Sequence, residues 1–318
     1  MTLRSGGAQT GSGNGEAAPG TAAGSGAGSG PASGPASGGA GPALAPETDP
    51  LLQQGPGSPL AAAVGERDRD TLRMVREAVA KRSVVLAYQP VVQADRTDHA
   101  AFHEGLIRLL DATGRVIPAR DFIEAVETHE LGRQIDCLAL DLGLAALRAH
   151  PGLRLSVNMS ARSIGYAPWA ETLRRGLSGS ETIGERLILE ITESSAMMMP
   201  DVVSAFMRDL QCRGIAFALD DFGAGFTSFS YLREFFFDIV KIDGQFIRGL
   251  SGNADNQVLV SALVNIARHF DMFTVAESVE SAEDAARCID LGVTCLQGYY
   301  FGAPTTQPAW AGAGRLTA

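Results

Sequence analysis

Residues 186–222 read RLILEITESSAMMMPDVVSAFMRDLQCRGIAFALDDF. RLILEIT is a short run of aliphatic and β-branched residues, DVVSAFMRDLQCRG has the apolar spacing of a helix, and IAFALDDF is again a strand. A strand, a helix and a second strand in this order form a βα unit whose strands lie parallel. Both strands end in acids, at Glu190 and at Asp220 and Asp221.

The same alternation extends in both directions. Upstream lie the strand LRLSVNMS and the helices 131–149 and 119–127; downstream lie a short helix near FSYLREF, strand IVKID, helix NQVLVSALVNIARHF, strand FTVAESV, helix SAEDAARCIDLG and strand CLQGYY. DRDTLRMVREAVAKR opens the series as a helix. The next two strands, VVLAYQPVVQ and AAFHEGLIRLL, are separated only by ADRTDH, too short for a crossover helix, so they are expected to pair antiparallel. Repeated βα units over this length predict an α/β fold, a TIM-like (β/α) barrel with one antiparallel strand near its start and its site at the C-terminal strand ends. An open doubly wound sheet would carry a Gly-rich phosphate turn after the first strand, and AYQPVVQADRTD has none.

Strands that converge at one mouth gather Glu104, Asn158, Glu190, Asp220, Asp221, Lys241, Asp243, Glu277 and Gln297. Residues two apart share a strand face, so Asn158 lies with Ser156, Glu190 with Thr192 and Lys241 with Asp243. Buried carboxylates need partners, and Lys241 with Arg108 cannot balance them all. That surplus points to divalent cations. Oxygen donors with one amide, and no histidine or thiolate, suit Mg²⁺ or Mn²⁺ rather than zinc.

Composition narrows the partners. With 26 Lys and Arg against 36 Asp and Glu the net charge is −10, which disfavours duplex nucleic acid. Cys137, Cys212, Cys288 and Cys295 form no CxxC pair and read as reduced thiols. No apolar run reaches the roughly 18 residues of a membrane helix, and the start lacks a secretory h-region, so a cytoplasmic protein is expected. Residues 1–65 are almost wholly Gly, Ala, Ser and Pro, a composition that predicts a disordered tail before a folded domain at 66–312.

Nine segments in order, AYQPVV, EGLIR, IPARDFIEAVE, VNMSARS, LEITES, LDDFGAGFTSFSYL, DIVKIDGQFI, VAESVE and LQGYYFGAP, give the chain from about Val84 to Trp310 a resemblance to EAL-type domains. That family hydrolyses the bacterial second messenger cyclic di-GMP to linear pGpG. The resemblance implies two Mg²⁺ or Mn²⁺ ions, with Ca²⁺ inhibitory. Glu104, Asn158, Glu190 and Asp220 would hold one ion and Asp221 the second. It further implies that Lys241 contacts the attacking water, Glu277 supports the metal site, and Gln297 orients water and substrate. Glu193 would brace the loop that begins at Asp221, Asp243 and Glu280 would form a supporting shell, Gln89 and Arg108 would face the dinucleotide, and the barrel would form a homodimer. The chain departs from the family pattern at Gly105, Ala224, Phe226 and at Ser278, where the family has glycine. Two other readings stand beside hydrolysis: a receptor that binds cyclic di-GMP without cleaving it, and a phosphodiesterase for another phosphoester.

Overall fold

A two-residue turn, Ala94–Asp95, folds β1 (Val84–Gln93) back on β2 (Arg96–Leu110) as an antiparallel hairpin. The computed structural model describes residues 59–180, 182–224, 232 and 234–312, with side chains from residue 66 onward. The expected tail therefore lies outside the described residues up to residue 58, as does most of the helix expected at 229–235. β3 (Val116–Pro118) adds antiparallel to β2 at one side. β2 then runs parallel to β4 (Leu155–Asn158), and parallel pairing continues through β5 (Leu187–Thr192), β6 (Ala216–Phe222), β7 (Ile239–Ile242), β8 (Phe273–Ala276) and β9 (Cys295–Gln297). β9 pairs antiparallel with β1 and closes the ring. The result is a closed eight-stranded barrel in which only β1 runs against its neighbours.

Strand alternation sorts the barrel interior into two layers. Val91, Phe102, Ile188, Ala218, Ile239, Val275 and Cys295 belong to one buried apolar cluster. Two residues further along each parallel strand, on the same face, stand Glu104, Glu190, Asp220, Lys241, Glu277 and Gln297. On β1 the order is reversed, Gln89 preceding Val91, because that strand runs the other way. An apolar floor thus supports a polar mouth. The floor excludes water from below, which strengthens every charge interaction above it.

The opposite strand faces carry the larger core, in which Leu155, Val157, Leu187, Leu189, Phe217, Leu219, Val240 and Ile242 pack against the surrounding helices. Each such fully buried aliphatic side chain contributes about 1.5–3 kcal/mol. The helices are α1 (Pro59–Ala80), α2 (Ile123–Val126), α3 (Glu130–Ala149), α4 (Ala167–Leu177), α5 (Glu193–Met198), α6 (Pro200–Gln211), α7 (Gly244–Ile247), α8 (Ala254–His269), α9 (Ala282–Asp290) and α10 (Ala309–Gly312). A second cluster joins Val75 and Ala78 of α1 to Leu109, Phe122, Val126 and Ile135.

Three elements differ from the sequence expectation. The helix expected at 119–127 is a 3₁₀ turn, Ala119–Asp121, followed by α2, because Phe122 leaves helical geometry (φ −141°, ψ −18°) to bury its ring. β2 begins at Arg96, inside the stretch read as a loop. α1 begins at Pro59, ahead of the charged run that marked the helix in the sequence; proline is well suited to a first helical position. The four cysteines are free thiols: Cys288 and Cys295 are buried, Cys137 half-buried and Cys212 exposed. No helix among the described residues is long and apolar enough to cross a membrane.

Candidate functional site

Lys241, on β7, projects into the centre of the mouth and is 1% exposed. Its Nζ lies 2.8 Å from Glu277 Oε1, 2.9 Å from Glu190 Oε2, 3.0 Å from Asp220 Oδ1 and 3.5 Å from Glu104 Oε2. Four strands therefore deliver carboxylates to one ammonium. Asp243, two residues on, does not pair with it; Asp243 caps α7, accepting a hydrogen bond from the Gln245 N–H at 2.7 Å.

Glu104 is the most heavily bonded acid of the mouth. Asn158 Nδ2 donates to its Oε1 at 2.9 Å and Gln297 Nε2 to its Oε2 at 2.6 Å. Burial alone would raise its pKa, but Lys241 and these two amides outweigh that and hold it below the usual carboxylate value. Gln297 Nε2 also donates to Gln89 Oε1 at 3.2 Å, and Gln89 Nε2 donates to the Gly302 carbonyl at 3.1 Å. Gln297 Oε1 is buried and has no hydrogen-bond donor among the described residues, so it is an acceptor in the mouth open to a water, ion or ligand.

The other acids bear the surplus negative charge. Burial, then repulsion from Glu104, pushes Glu190 well above its ordinary pKa despite Lys241. Burial raises Glu277 to about 8, and burial followed by repulsion from Asp220 raises Asp221 to about 6. Lys241 is itself desolvated, yet Asp220, Glu104, Glu190 and Glu277 lift it well above its ordinary value, keeping it an ammonium.

Four carboxylates, those of Glu104, Glu190, Asp220 and Glu277, thus surround one cation, and Asp221 adds a fifth acid to the mouth. Asp220, Asp221 and Glu277 each offer an oxygen within 4.8 Å of the others, close enough to share an ion. Oxygen donors, unbalanced negative charge and an open amide acceptor fit a hard divalent cation.

The remaining candidates divide. Glu193, at the start of α5, is buried and accepts from the Gly223 N–H at 3.2 Å, so it does reach the turn that follows Asp221. Asp221 has φ 57°, a left-handed backbone that aspartate tolerates better than most residues. Arg108 stands at the end of β2, half-buried, and Glu104 acts on its charge. Glu280 is not brought into the mouth: it is exposed and pairs with Arg248 at 3.6 Å.

Sequence reading missed two anchors. Asp136 of α3 accepts from the Ser160 N–H at 3.0 Å and from Ser163 Oγ at 2.6 Å. Ser195 Oγ of α5 accepts from the Ala161 N–H at 2.8 Å. Together they fix the turn that leaves Asn158. Each contact joins residues far apart in the chain, so no local pattern announces it.

The chain is thus an α/β barrel protein with an acidic mouth suited to divalent cations. Residues 72–304 match the EAL domain family, and the chain belongs to that family. It is 31% identical over 234 residues to the cyclic di-GMP phosphodiesterase PdeB of Shewanella oneidensis, covering 72% of this chain and 27% of PdeB. It is 32% identical over 238 residues to the bifunctional diguanylate cyclase/cyclic di-GMP phosphodiesterase MucR of Pseudomonas aeruginosa, covering 73% of this chain and 35% of MucR. The chain spans about a quarter to a third of the length of these curated relatives. Among solved structures, the PaMucR phosphodiesterase in complex with c-di-GMP superposes with TM-score 0.69 at 31% identity, covering 76% of this chain and 98% of that one. The FimX EAL domain from Pseudomonas aeruginosa bound to c-di-GMP gives TM-score 0.67 at 26% identity, covering 75% and 97%.

Proposed function

We propose that this protein hydrolyses cyclic di-GMP to linear pGpG with Mg²⁺ or Mn²⁺ as cofactor. The observation that carries this reading is the set of four carboxylates around a single buried lysine, with Asp221 beside two of them, at the mouth of a barrel whose relatives include named cyclic di-GMP phosphodiesterases. A dianionic substrate would be repelled by such a mouth unless cations intervened.

Glu104, Asn158, Glu190, Asp220 and Asp221 would hold the cations, which when bound polarise phosphoryl oxygens and lower the pKa of a coordinated water. Lys241 offsets negative charge that builds on phosphorus as the attacking oxygen and the leaving 3′ oxygen come into line. Glu277, 2.8 Å from that ammonium, would lose its own proton once cations fill the mouth, and would then take a proton from the attacking water and pass it to the leaving 3′ oxygen. Gln297 Oε1 supplies an acceptor that orients the water's other hydrogen, and Gln89 and Arg108 face the dinucleotide from β1 and β2. The bond broken is P–O3′, leaving a 5′-phosphate and a free 3′-hydroxyl.

A receptor reading stands beside hydrolysis, because c-di-GMP is bound both in the PaMucR phosphodiesterase structure and in that of the FimX EAL domain, so binding of the dinucleotide does not by itself imply turnover. Incubating the purified chain with cyclic di-GMP and Mn²⁺ and separating the products by chromatography decides the matter. Release of pGpG supports hydrolysis. Tight binding with no product at any Mn²⁺ concentration replaces it with the receptor.

A further inference from the structure

Ser278, one residue beyond Glu277, has φ 56°, in the left-handed region that disfavours any residue with a Cβ. A strained backbone persists only where its surroundings over-determine it. Here the flanking residues are tied to different strands: the Glu277 N–H donates to the Ile242 carbonyl of β7 at 3.2 Å, and the Val279 N–H to the Gln297 carbonyl of β9 at 3.0 Å. The chain crosses from one neighbour of β8 to the other within three residues. The left-handed turn achieves that crossing.

Two glycines make room for it. A Cβ on Gly298 would lie 2.0 Å from the Val279 carbonyl oxygen, and a Cβ on Gly244 would lie 2.4 Å from Ser278 Oγ. Into the space over Gly244 comes Arg248, whose Nη2 donates to Ser278 Oγ at 3.0 Å while its Nε lies 3.6 Å from Glu280. Arg248 is delivered from a fixed base. Its N–H donates to the Gly244 carbonyl at 2.9 Å, and the N–H groups of Gly249 and Ser251 donate to the Asp284 carboxylate of α9 at 3.1 and 2.8 Å. A glycine at 278 would satisfy the backbone but would leave Arg248 only its exposed pair with Glu280.

We propose that Ser278 is a positioning residue: its hydroxyl, clamped by Arg248, locks the turn after β8 and so holds the Glu277 carboxylate against Lys241. The inference deepens the hydrolase reading and rests on it. A side-chain lock has taken the place of backbone freedom, and it joins the end of β8 to the segment that follows β7.

The test uses the full chain loaded with Mn²⁺ and compares Ser278→Ala, Ser278→Gly, Arg248→Ala, Arg248→Lys and the Ser278→Ala/Arg248→Ala double variant. Loss of one hydrogen bond predicts a fall in kcat of about three- to tenfold for Ser278→Ala and Arg248→Ala, with KM changed by less than about twofold. The double variant should lose no more than either single one, because both remove the same bond, and Arg248→Lys should recover part of the loss. Ser278→Gly should melt above Ser278→Ala, since glycine accepts φ 56°, yet share its lower kcat. A merely structural serine would not separate stability from turnover in this way. Wild-type kcat in Ser278→Ala, or additive losses in the double variant, overturns the lock. If wild type itself releases no pGpG, the hydrolase reading fails on its own, and Mn²⁺ calorimetry then judges the lock: equal loss of affinity in Ser278→Ala and Arg248→Ala supports it, and unchanged affinity overturns it.

Discussion

Lys241 is the one ammonium that four carboxylates share, so its removal leaves buried acids without a partner. Breaking such a pair costs about 3–5 kcal/mol. Lys241→Met should therefore abolish turnover and lower the melting midpoint of the metal-free protein, with Mn²⁺ restoring part of the loss; calorimetry with and without EDTA checks this, and an unchanged metal-free midpoint would refute it. Gly105 gives a contrasting case one residue from Glu104. An added Cβ would meet the Ser156 carbonyl oxygen at 3.2 Å and Leu155 and Leu86 Cδ1 at 3.4 Å, so the neighbours must yield by tenths of an ångström. Its φ is not left-handed, and alanine stiffens a strand that glycine loosens by roughly 0.5–1 kcal/mol. Gly105→Ala should hold turnover at or above the wild-type rate while Glu104→Ala abolishes it, both read as pGpG release. A Gly105→Ala enzyme as inactive as Glu104→Ala would show that the space beside Ser156 cannot give.

At the scale of elements, the turn after β4 depends on a carboxylate contributed by α3. Desolvation raises Asp136 to about 7, against hydrogen bonds from Ser163 and Ser160 that lower it. A folded-state pKa above the unfolded value of about 3.9 means that the native protein holds a proton the unfolded chain releases, so this group's contribution to stability falls as pH rises from about 4 to about 7. Asp136→Asn, shaped like the protonated acid, should flatten that part of the pH profile and melt higher relative to wild type at pH 8 than at pH 5. Equal pH slopes for the two proteins would remove Asp136 as the source. The same turn shows what was legible in the sequence. Strand ends such as LILEIT and FALDDF place Glu190 and Asp220 two residues beyond Ile188 and Ala218 on the same face, so the ring and most of its mouth could be read directly. Asp136, Ser195 and the break at Phe122 could not, because each is decided by packing against a distant segment. Glu280 was read into the supporting shell only by resemblance; it is exposed and pairs with Arg248 at 3.6 Å.

For the molecule as a whole, surplus acidic groups at one end of the barrel predict a stability that rises with divalent ions. An ion at a hundred times its Kd adds about 2.7 kcal/mol to a protein that binds it only when folded. The melting midpoint should rise with Mn²⁺ and fall with EDTA, and Ca²⁺, which prefers more ligands at longer distances, should raise the midpoint while suppressing turnover. Full hydrolysis in excess EDTA would contradict this. Residues 1–57 carry few large apolar side chains, so their deletion is expected to leave the melting midpoint and specific activity nearly unchanged. A drop of several degrees would show otherwise.

The antiparallel strand has a consequence for how activity is acquired. β1 pairs with β2, its neighbour in sequence, and with β9, almost at the other end of the barrel. The first ladder is a local hairpin, whereas the second closes the longest loop in the fold and is entropically the slowest to form. Gln297 lies on the far side of that seam, and its amide completes the mouth by bonding Gln89 and Glu104 at once. A chain folded up to β8 would hold its acids but lack the group that ties them to β1 and β2. Ring closure and the tie between β1, β2 and β9 therefore arrive in the same event, so the Gln297 amide reaches Gln89 and Glu104 only in the completed barrel.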